Sequence, residues 1–82
     1  VEIEVTDSVA DGMAFLPGAV LATLHGDART LLTSERIALN FMSRLCGIAT
    51  LTDRYCQAIQ GLAARLYDTR KTTPGWRRLE KY

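Results

Sequence analysis

The sequence lacks the features that mark membrane, fibrous and linker proteins. No apolar run approaches the roughly 18 residues that a membrane-spanning helix needs. Six glycines and two prolines are too few for a collagen-like chain or a flexible linker. Apolar residues make up 48% and charged residues 23% of the 82 positions, which is typical of a globular domain. The composition therefore indicates one small domain, or a piece of a larger one, with a thin core.

Several chemical signatures are also missing. The chain contains no P-loop, no GxGxxG, no HExxH, no CxxC and no Ser/His/Asp arrangement. The two cysteines, Cys46 and Cys56, fall in one predicted helix, where ten residues rise by about 15 Å. A disulfide requires Cα atoms within about 7 Å. We therefore expect two free thiols in a cytoplasmic protein with no membrane contact.

Bases are scarce in the first part of the chain and acids in the second, although the total charge is nearly neutral. The formal net charge is +1, but residues 1–35 carry six acids and one base. Residues 36–82 carry nine bases and three acids. The second part is therefore basic and suited to phosphate, carboxylate or nucleic acid.

The first third reads as a small set of short antiparallel strands. Val1, Ile3 and Val5 alternate with glutamates, a period of two that predicts a strand. Apolar stretches at Met13–Leu16 and Ala19–Leu24 predict two more, with a Pro-Gly turn between them.

A long helix follows and leads into a β-loop-α unit. Thr33 is the expected N-cap, and apolar residues then recur at spacings of three and four. Gly47 predicts a kink or break. After the helix, Ala64–Tyr67 predicts a strand that precedes a polar loop, and residues 76–82 predict a second helix. This order indicates an α/β fold class.

The loop Asp68-Thr69-Arg70-Lys71-Thr72-Thr73-Pro74-Gly75 is the strongest candidate site. Two adjacent cations follow a predicted strand, and ligands bind at the carboxyl ends of strands in α/β folds. An arginine fork and a lysine charge suit carboxylate or phosphate; the alternative is a solvated basic loop. Arg36 is a second candidate, because a cation in the predicted first helical turn opposes the helix dipole.

Two segments together carry a family resemblance. LLTSERIALNFMSRLCGIATLT (residues 31–52) and YDTRKTTPGWRRLEKY (residues 67–82) closely resemble quinolinate phosphoribosyltransferase. Cys46 stands where that family usually has serine, and Trp76 where it usually has leucine; the tryptophan either narrows the site or packs.

The resemblance implies an enzyme of NAD biosynthesis, a pentosyltransferase. It would convert quinolinate and 5-phosphoribosyl-1-pyrophosphate to nicotinate mononucleotide, pyrophosphate and carbon dioxide. The implied fold is an α/β sandwich, here residues 1–47, leading into the first units of an open α/β barrel, here residues 48–82. The chain has no initiator methionine and no helix-stop signal at its end, so we expect a fragment that is inactive alone.

The resemblance also implies roles for individual residues. Thr69, Arg70 and Lys71 would bind the two substrates, with Lys71 as the catalytic candidate. Arg36 would reach the quinolinate carboxylate in the neighbouring subunit of a homodimer or larger homo-oligomer. Mg²⁺ would be required, with its ligands beyond residue 82 and none within this chain.

Three alternatives remain open at this point. One is a related phosphoribosyltransferase-like protein that acts on another acid. Another is a basic module that binds nucleic acid or other anions, although the basic loop has few neighbouring aromatic residues for stacking bases. The last is a structural role, in which the basic loop serves a subunit contact.

Overall fold

The chain is a small mixed α/β structure with a two-stranded sheet and one long helix. The computed structural model describes residues 2–82. The elements, in chain order, are β1 (Glu4–Thr6), β2 (Thr23–His25), α1 (Ala28–Ala58) and α2 (Arg77–Lys81). They belong to two compact units, of which the first ends at Arg36 and the second runs from Ile37 to Tyr82. Helix α1 contributes residues to both.

The first unit contains the sheet. β1 and β2 pair antiparallel, with Val5 opposite Leu24, and the contact continues where the Val9 N–H donates to the Leu21 carbonyl at 2.9 Å. The predicted antiparallel pairing is thus confirmed for these two short strands. Val1, which began the predicted alternation, lies outside the described residues.

The expected middle strand at Met13–Leu16 is wrong, and the one at Ala19–Leu24 is confirmed only at its end, Thr23–Leu24. The two segments are joined by the predicted turn, in which the Ala19 N–H donates to the Leu16 carbonyl at 3.1 Å. Gly18 takes φ +84°, as a type II turn requires after proline. A strand needs a partner ladder, and Met13–Leu16 has none among the described residues.

Helix α1 begins five residues before the predicted cap. Asp27 is the N-cap: its Oδ2 accepts the Thr30 N–H at 3.0 Å and the Thr30 hydroxyl at 3.2 Å. Thr33 instead lies inside the helix, where its hydroxyl donates to the Arg29 carbonyl at 2.7 Å. The expectation for Thr33 failed because a threonine serves equally as a cap and as an interior residue that bonds the preceding turn.

Replacing Asp27 with alanine is expected to lower the free energy of unfolding by about 1 kcal/mol, because the first-turn N–H of Thr30 loses its acceptor. Asp27→Asn keeps an acceptor of similar rank and is the matched control. Urea denaturation followed by circular dichroism measures both. An alanine variant as stable as the asparagine variant would show that the cap contributes nothing.

Helix α1 passes through Gly47 without interruption, so the predicted break is wrong. A glycine inside a helix destabilises it by roughly 1 kcal/mol relative to alanine. One such residue among 31 is not enough to end the helix.

Cys46 and Cys56 are both free thiols, as expected. Within residues 2–82, neither helix is long and apolar enough to cross a membrane.

None of the described residues is buried. The apolar face predicted for α1 exists, but it is open: Leu32 is 72% and Ile37 62% exposed. The other described elements do not cover it. The predicted thin core is therefore absent among the described residues.

The strand predicted at Ala64–Tyr67 is not formed in the described chain, where these residues have no ladder partner. A parallel strand acquires its hydrogen bonds only beside a second strand, and this segment has none to pair with. The predicted second helix is confirmed as α2.

Candidate functional site

The candidate site is the basic loop, residues 68–75, which lies in the second unit immediately before α2. Two local hydrogen bonds shape its middle. The Lys71 N–H donates to the Thr69 hydroxyl oxygen at 2.9 Å, and the Thr72 N–H donates to the Arg70 carbonyl at 3.0 Å. Bonds of this kind hold a turn without secondary structure. The backbone that carries Arg70 and Lys71 is therefore folded into a turn.

A second turn closes the loop. The Trp76 N–H donates to the Thr73 carbonyl at 2.9 Å across Pro74-Gly75. Gly75 takes φ +80°, which the third position of a type II turn needs and which a residue with a Cβ rarely adopts. The Pro-Gly pair thus directs the chain from the loop into α2.

Helix α2 holds the loop at three places. Lys81 Nζ lies 3.1 Å from Asp68 Oδ2, and Arg77 Nη2 donates to the Arg70 carbonyl at 3.1 Å. Glu80 Oε2 accepts the Thr73 N–H at 3.1 Å. These contacts join the beginning, middle and end of the loop to one short helix.

Helix α1 reaches the same loop through Arg44. Its Nε and Nη2 lie 3.1 Å and 2.9 Å from Glu80 Oε1, and Nη2 also donates to the Thr73 hydroxyl. Beside it, the rings of Phe41 and Trp76 stack with centroids 4.5 Å apart and planes 9° from parallel. The Arg44 guanidinium lies 5.9 Å from the centre of the Trp76 ring, within the range of a cation–π contact.

The Glu80 carboxylate is ionised at neutral pH. Hydrogen bonding with the Thr73 hydroxyl, and then with Arg44, lowers the pKa of Glu80 below its ordinary value of 4.5. Its two oxygens accept hydrogen bonds from Arg44 and from the Thr73 N–H.

Arg70 and Lys71 carry the positive charge that remains available. Both side chains are exposed. The two ion pairs of residues 2–82 join Arg44 to Glu80 and Lys81 to Asp68, so the acids nearest the loop have other partners. Two adjacent cations on a fixed backbone suit an anion with several oxygens, such as a phosphate or a dicarboxylate.

Three of the four predicted binding residues lie in the basic loop. Thr69, Arg70 and Lys71 are consecutive in the loop. The Thr69 oxygen already accepts the Lys71 N–H, which leaves its hydroxyl proton to donate. Arg36 lies in the first unit, exposed on α1. It is the ninth residue of that helix rather than part of the first turn. The dipole argument for Arg36 is therefore wrong, and the resemblance alone supports its role.

Sequence reasoning missed Arg44 and Glu80, and left the role of Trp76 open. Arg44 and Glu80 are 36 positions apart, and no spacing rule joins a mid-helix arginine to a distant glutamate. The sequence left open whether Trp76 narrows the site or packs. In the structure it packs against Phe41.

Side chains that could bind a metal ion do not form clusters in the part of the chain that the structure describes. No group of three or more His, Cys, Asp and Glu side chains within residues 2–82 could hold a metal ion.

The fold and the loop define a small α/β chain with an exposed basic loop. Residues 1–46 match the sequence profile of the quinolinate phosphoribosyl transferase N-terminal domain, and residues 48–82 match that of the C-terminal domain. The chain belongs to the quinolinate phosphoribosyl transferase family. No solved structure matches it.

Similar proteins from three bacteria carry one enzyme name. A Synechocystis protein, named "Probable nicotinate-nucleotide pyrophosphorylase (carboxylating)", is 53% identical over 88% of this chain and 24% of its own length. A Bacillus subtilis protein of the same name is 49% identical over 88% of this chain and 25% of its own. The nicotinate-nucleotide pyrophosphorylase (carboxylating) of Mycobacterium leprae is 46% identical over 90% and 26%. The chain thus spans about a quarter of the length of these curated relatives.

Proposed function

We propose that this chain supplies the basic substrate loop of a quinolinate phosphoribosyltransferase in NAD biosynthesis. Quinolinate would react with 5-phosphoribosyl-1-pyrophosphate to give nicotinate mononucleotide, pyrophosphate and carbon dioxide. The observation that supports this most is the pair of exposed cations, Arg70 and Lys71, on a loop fixed by α2. The relatives that match most of this chain carry the name of that enzyme.

The proposed chemistry needs charge and position more than covalent catalysis. The pyridine nitrogen attacks the anomeric carbon of the ribose as the bond to pyrophosphate breaks, through an oxocarbenium-like state. The C2 carboxylate then leaves as carbon dioxide, its electron pair stays on the ring beside the quaternised nitrogen, and a solvent proton completes the product. Fixed cations stabilise the leaving pyrophosphate and orient the dicarboxylate.

Within this reaction Arg70 and Lys71 would bind and orient the anions, and Lys71 is the proposed catalytic residue because its charge would face the reacting atoms. Thr69 would donate its hydroxyl proton to a substrate oxygen. None of the three is assigned a proton transfer, because binding and orienting the anions requires only two positive charges and a hydroxyl donor.

Further parts of the proposal concern the assembly. The division into a sandwich part, residues 1–47, and a barrel part, residues 48–82, is supported by the two profile matches, which meet at the same place. Arg36 would enter the site of the neighbouring subunit in a homodimer or larger homo-oligomer.

Mg²⁺ would take its ligands outside these residues. The enzyme would act in the cytoplasm without nucleic acid or membrane, and the 82 residues alone would show no turnover.

Substrate discrimination tests the proposed function against its nearest alternative, a relative that acts on another acid. We expect the full-length protein that contains this chain to form a mononucleotide from quinolinate at least about a hundredfold faster than from nicotinate, because a second carboxylate adds a charged contact. Chromatography of the nucleotide product measures the rate for each acid at equal concentrations of the phosphoribosyl donor. A different preferred acid would favour the alternative.

A further inference from the structure

Three side chains outside the proposed substrate contacts join α1, the basic loop and α2. Arg44 donates to the Glu80 carboxylate through two nitrogens and to the Thr73 hydroxyl through one of them. The other oxygen of Glu80 accepts the Thr73 N–H at 3.1 Å. We call Arg44, Thr73 and Glu80 the loop clamp. It holds the end of the basic loop by both its backbone and its side chain.

The loop clamp differs from an ordinary surface ion pair. Exposed pairs contribute little to stability because both side chains are solvated and mobile. Here the Arg44 side chain is 49% exposed but that of Glu80 only 9%, and both Glu80 oxygens accept hydrogen bonds from the clamp. Arg44 uses the planar geometry of its guanidinium to contact two residues at once, which a lysine cannot reproduce. The Phe41–Trp76 stack lies beside it.

The loop clamp acts at a short distance from the free cations. Thr73 follows Lys71 by two residues, and Arg77 holds the carbonyl of Arg70. The backbone between these points is hydrogen-bonded at both ends, whereas the Arg70 and Lys71 side chains remain exposed. Fixing the ends of a loop lowers the entropy that a ligand must overcome on binding.

We propose that Arg44 is a positioning residue, which acts through Glu80 and Thr73 to present Arg70 and Lys71 together to a phosphate or pyrophosphate group. Arg44 itself does not touch the substrate. The identity of the anion rests on the proposed function, whereas the positioning role rests on the contacts of the loop clamp.

A double-mutant cycle with inorganic pyrophosphate tests this role. In the full-length protein, calorimetry compares the pyrophosphate affinity of the wild type, Arg44→Ala, Lys71→Ala and the double variant. We expect Arg44→Ala to weaken binding about tenfold. We expect a clearly smaller further loss when Arg44→Ala is added to Lys71→Ala, because one of the two cations that it positions is already gone and only Arg70 remains.

Control variants separate positioning from loss of the fold. Arg54→Ala removes an exposed arginine of α1 and should leave the affinity unchanged. Glu80→Gln keeps the shape of the loop clamp but removes its charge, and should weaken binding in the same direction as Arg44→Ala. It also keeps the proposal testable if Arg44→Ala fails to fold.

Three results would overturn the positioning role. The first is no pyrophosphate binding by the wild type. The second is equal losses from Arg44→Ala with and without Lys71, which means an independent contact or general destabilisation. The third is unchanged affinity in Glu80→Gln and in folded Arg44→Ala. Because binding is measured without turnover, failure of the quinolinate reaction beside an intact coupling would overturn the proposed substrate and leave the loop clamp established.

Discussion

Replacing Lys71 with alanine in the full-length protein is expected to lower kcat/KM for quinolinate by about a hundredfold or more, because a fixed charge that stabilises the leaving pyrophosphate is lost. The side chain has no acid partner within residues 2–82, so its removal leaves no carboxylate unpaired there. The loss should therefore appear in catalysis and not in stability. Steady-state kinetics and thermal unfolding measure the two effects.

Arg54→Ala removes the same charge from an exposed position on α1 and is the control for a general electrostatic effect. Lys71→Arg keeps the charge but changes its geometry, and should retain more activity than Lys71→Ala. Equal activity of Lys71→Ala and Arg54→Ala would mean that the basic loop is only a solvated surface or a subunit contact.

Replacing Arg36 with alanine is expected to raise KM for quinolinate by about tenfold to a hundredfold, because the proposed dimer loses a charge-assisted contact to one carboxylate. KM for the phosphoribosyl donor should change little, since Arg36 is assigned to the dicarboxylate alone. Arg36→Lys is the conservative variant, and should recover part of the loss.

Complementation tests whether Arg36 acts in the neighbouring subunit. Arg36→Ala and Lys71→Ala subunits are mixed in equal amounts, reassembled and assayed at a quinolinate concentration too low for either variant alone to turn over. They would restore about a quarter of wild-type activity if each site of a two-fold dimer takes Arg36 from one chain and Lys71 from the other. Half the dimers are then mixed, and each of those has one intact site. No recovery after exchange of subunits would place both residues in one subunit's site.

The elements of the fold that depend on local chemistry could be predicted from the sequence. The Pro-Gly turns before Ala19 and Trp76 form as expected, because proline and glycine fix the two central conformations. The start of α1 was misplaced because Asp27 and Thr33 are both good caps, and only the structure shows which one bonds the first turn.

The sequence does not show whether an element forms when that element needs another strand or helix beside it. Ala64–Tyr67 has the residues of a strand, but a strand needs a second strand beside it. The apolar face of α1 follows from its periodicity, yet Leu32 and Ile37 remain exposed in the described chain. Periodicity predicts that a face is apolar, whereas packing depends on the residues brought against it.

The candidate site divides in the same way. The basic loop could be predicted because Arg70, Lys71 and the following turn are adjacent in sequence. The loop clamp could not, because Arg44 and Glu80 meet only through the tertiary packing of the second unit. The case for Arg36 from the helix dipole failed with the corrected helix start.

Release of labelled carbon dioxide from quinolinate that carries the label in its C2 carboxylate tests the central claim most directly. The full-length protein is assayed with Mg²⁺, with and without 5-phosphoribosyl-1-pyrophosphate. We predict release only when the donor is present, in amounts equal to the nicotinate mononucleotide formed. No release with the donor present, from protein that is folded and binds pyrophosphate, would contradict the account and assign the basic loop to a different acid.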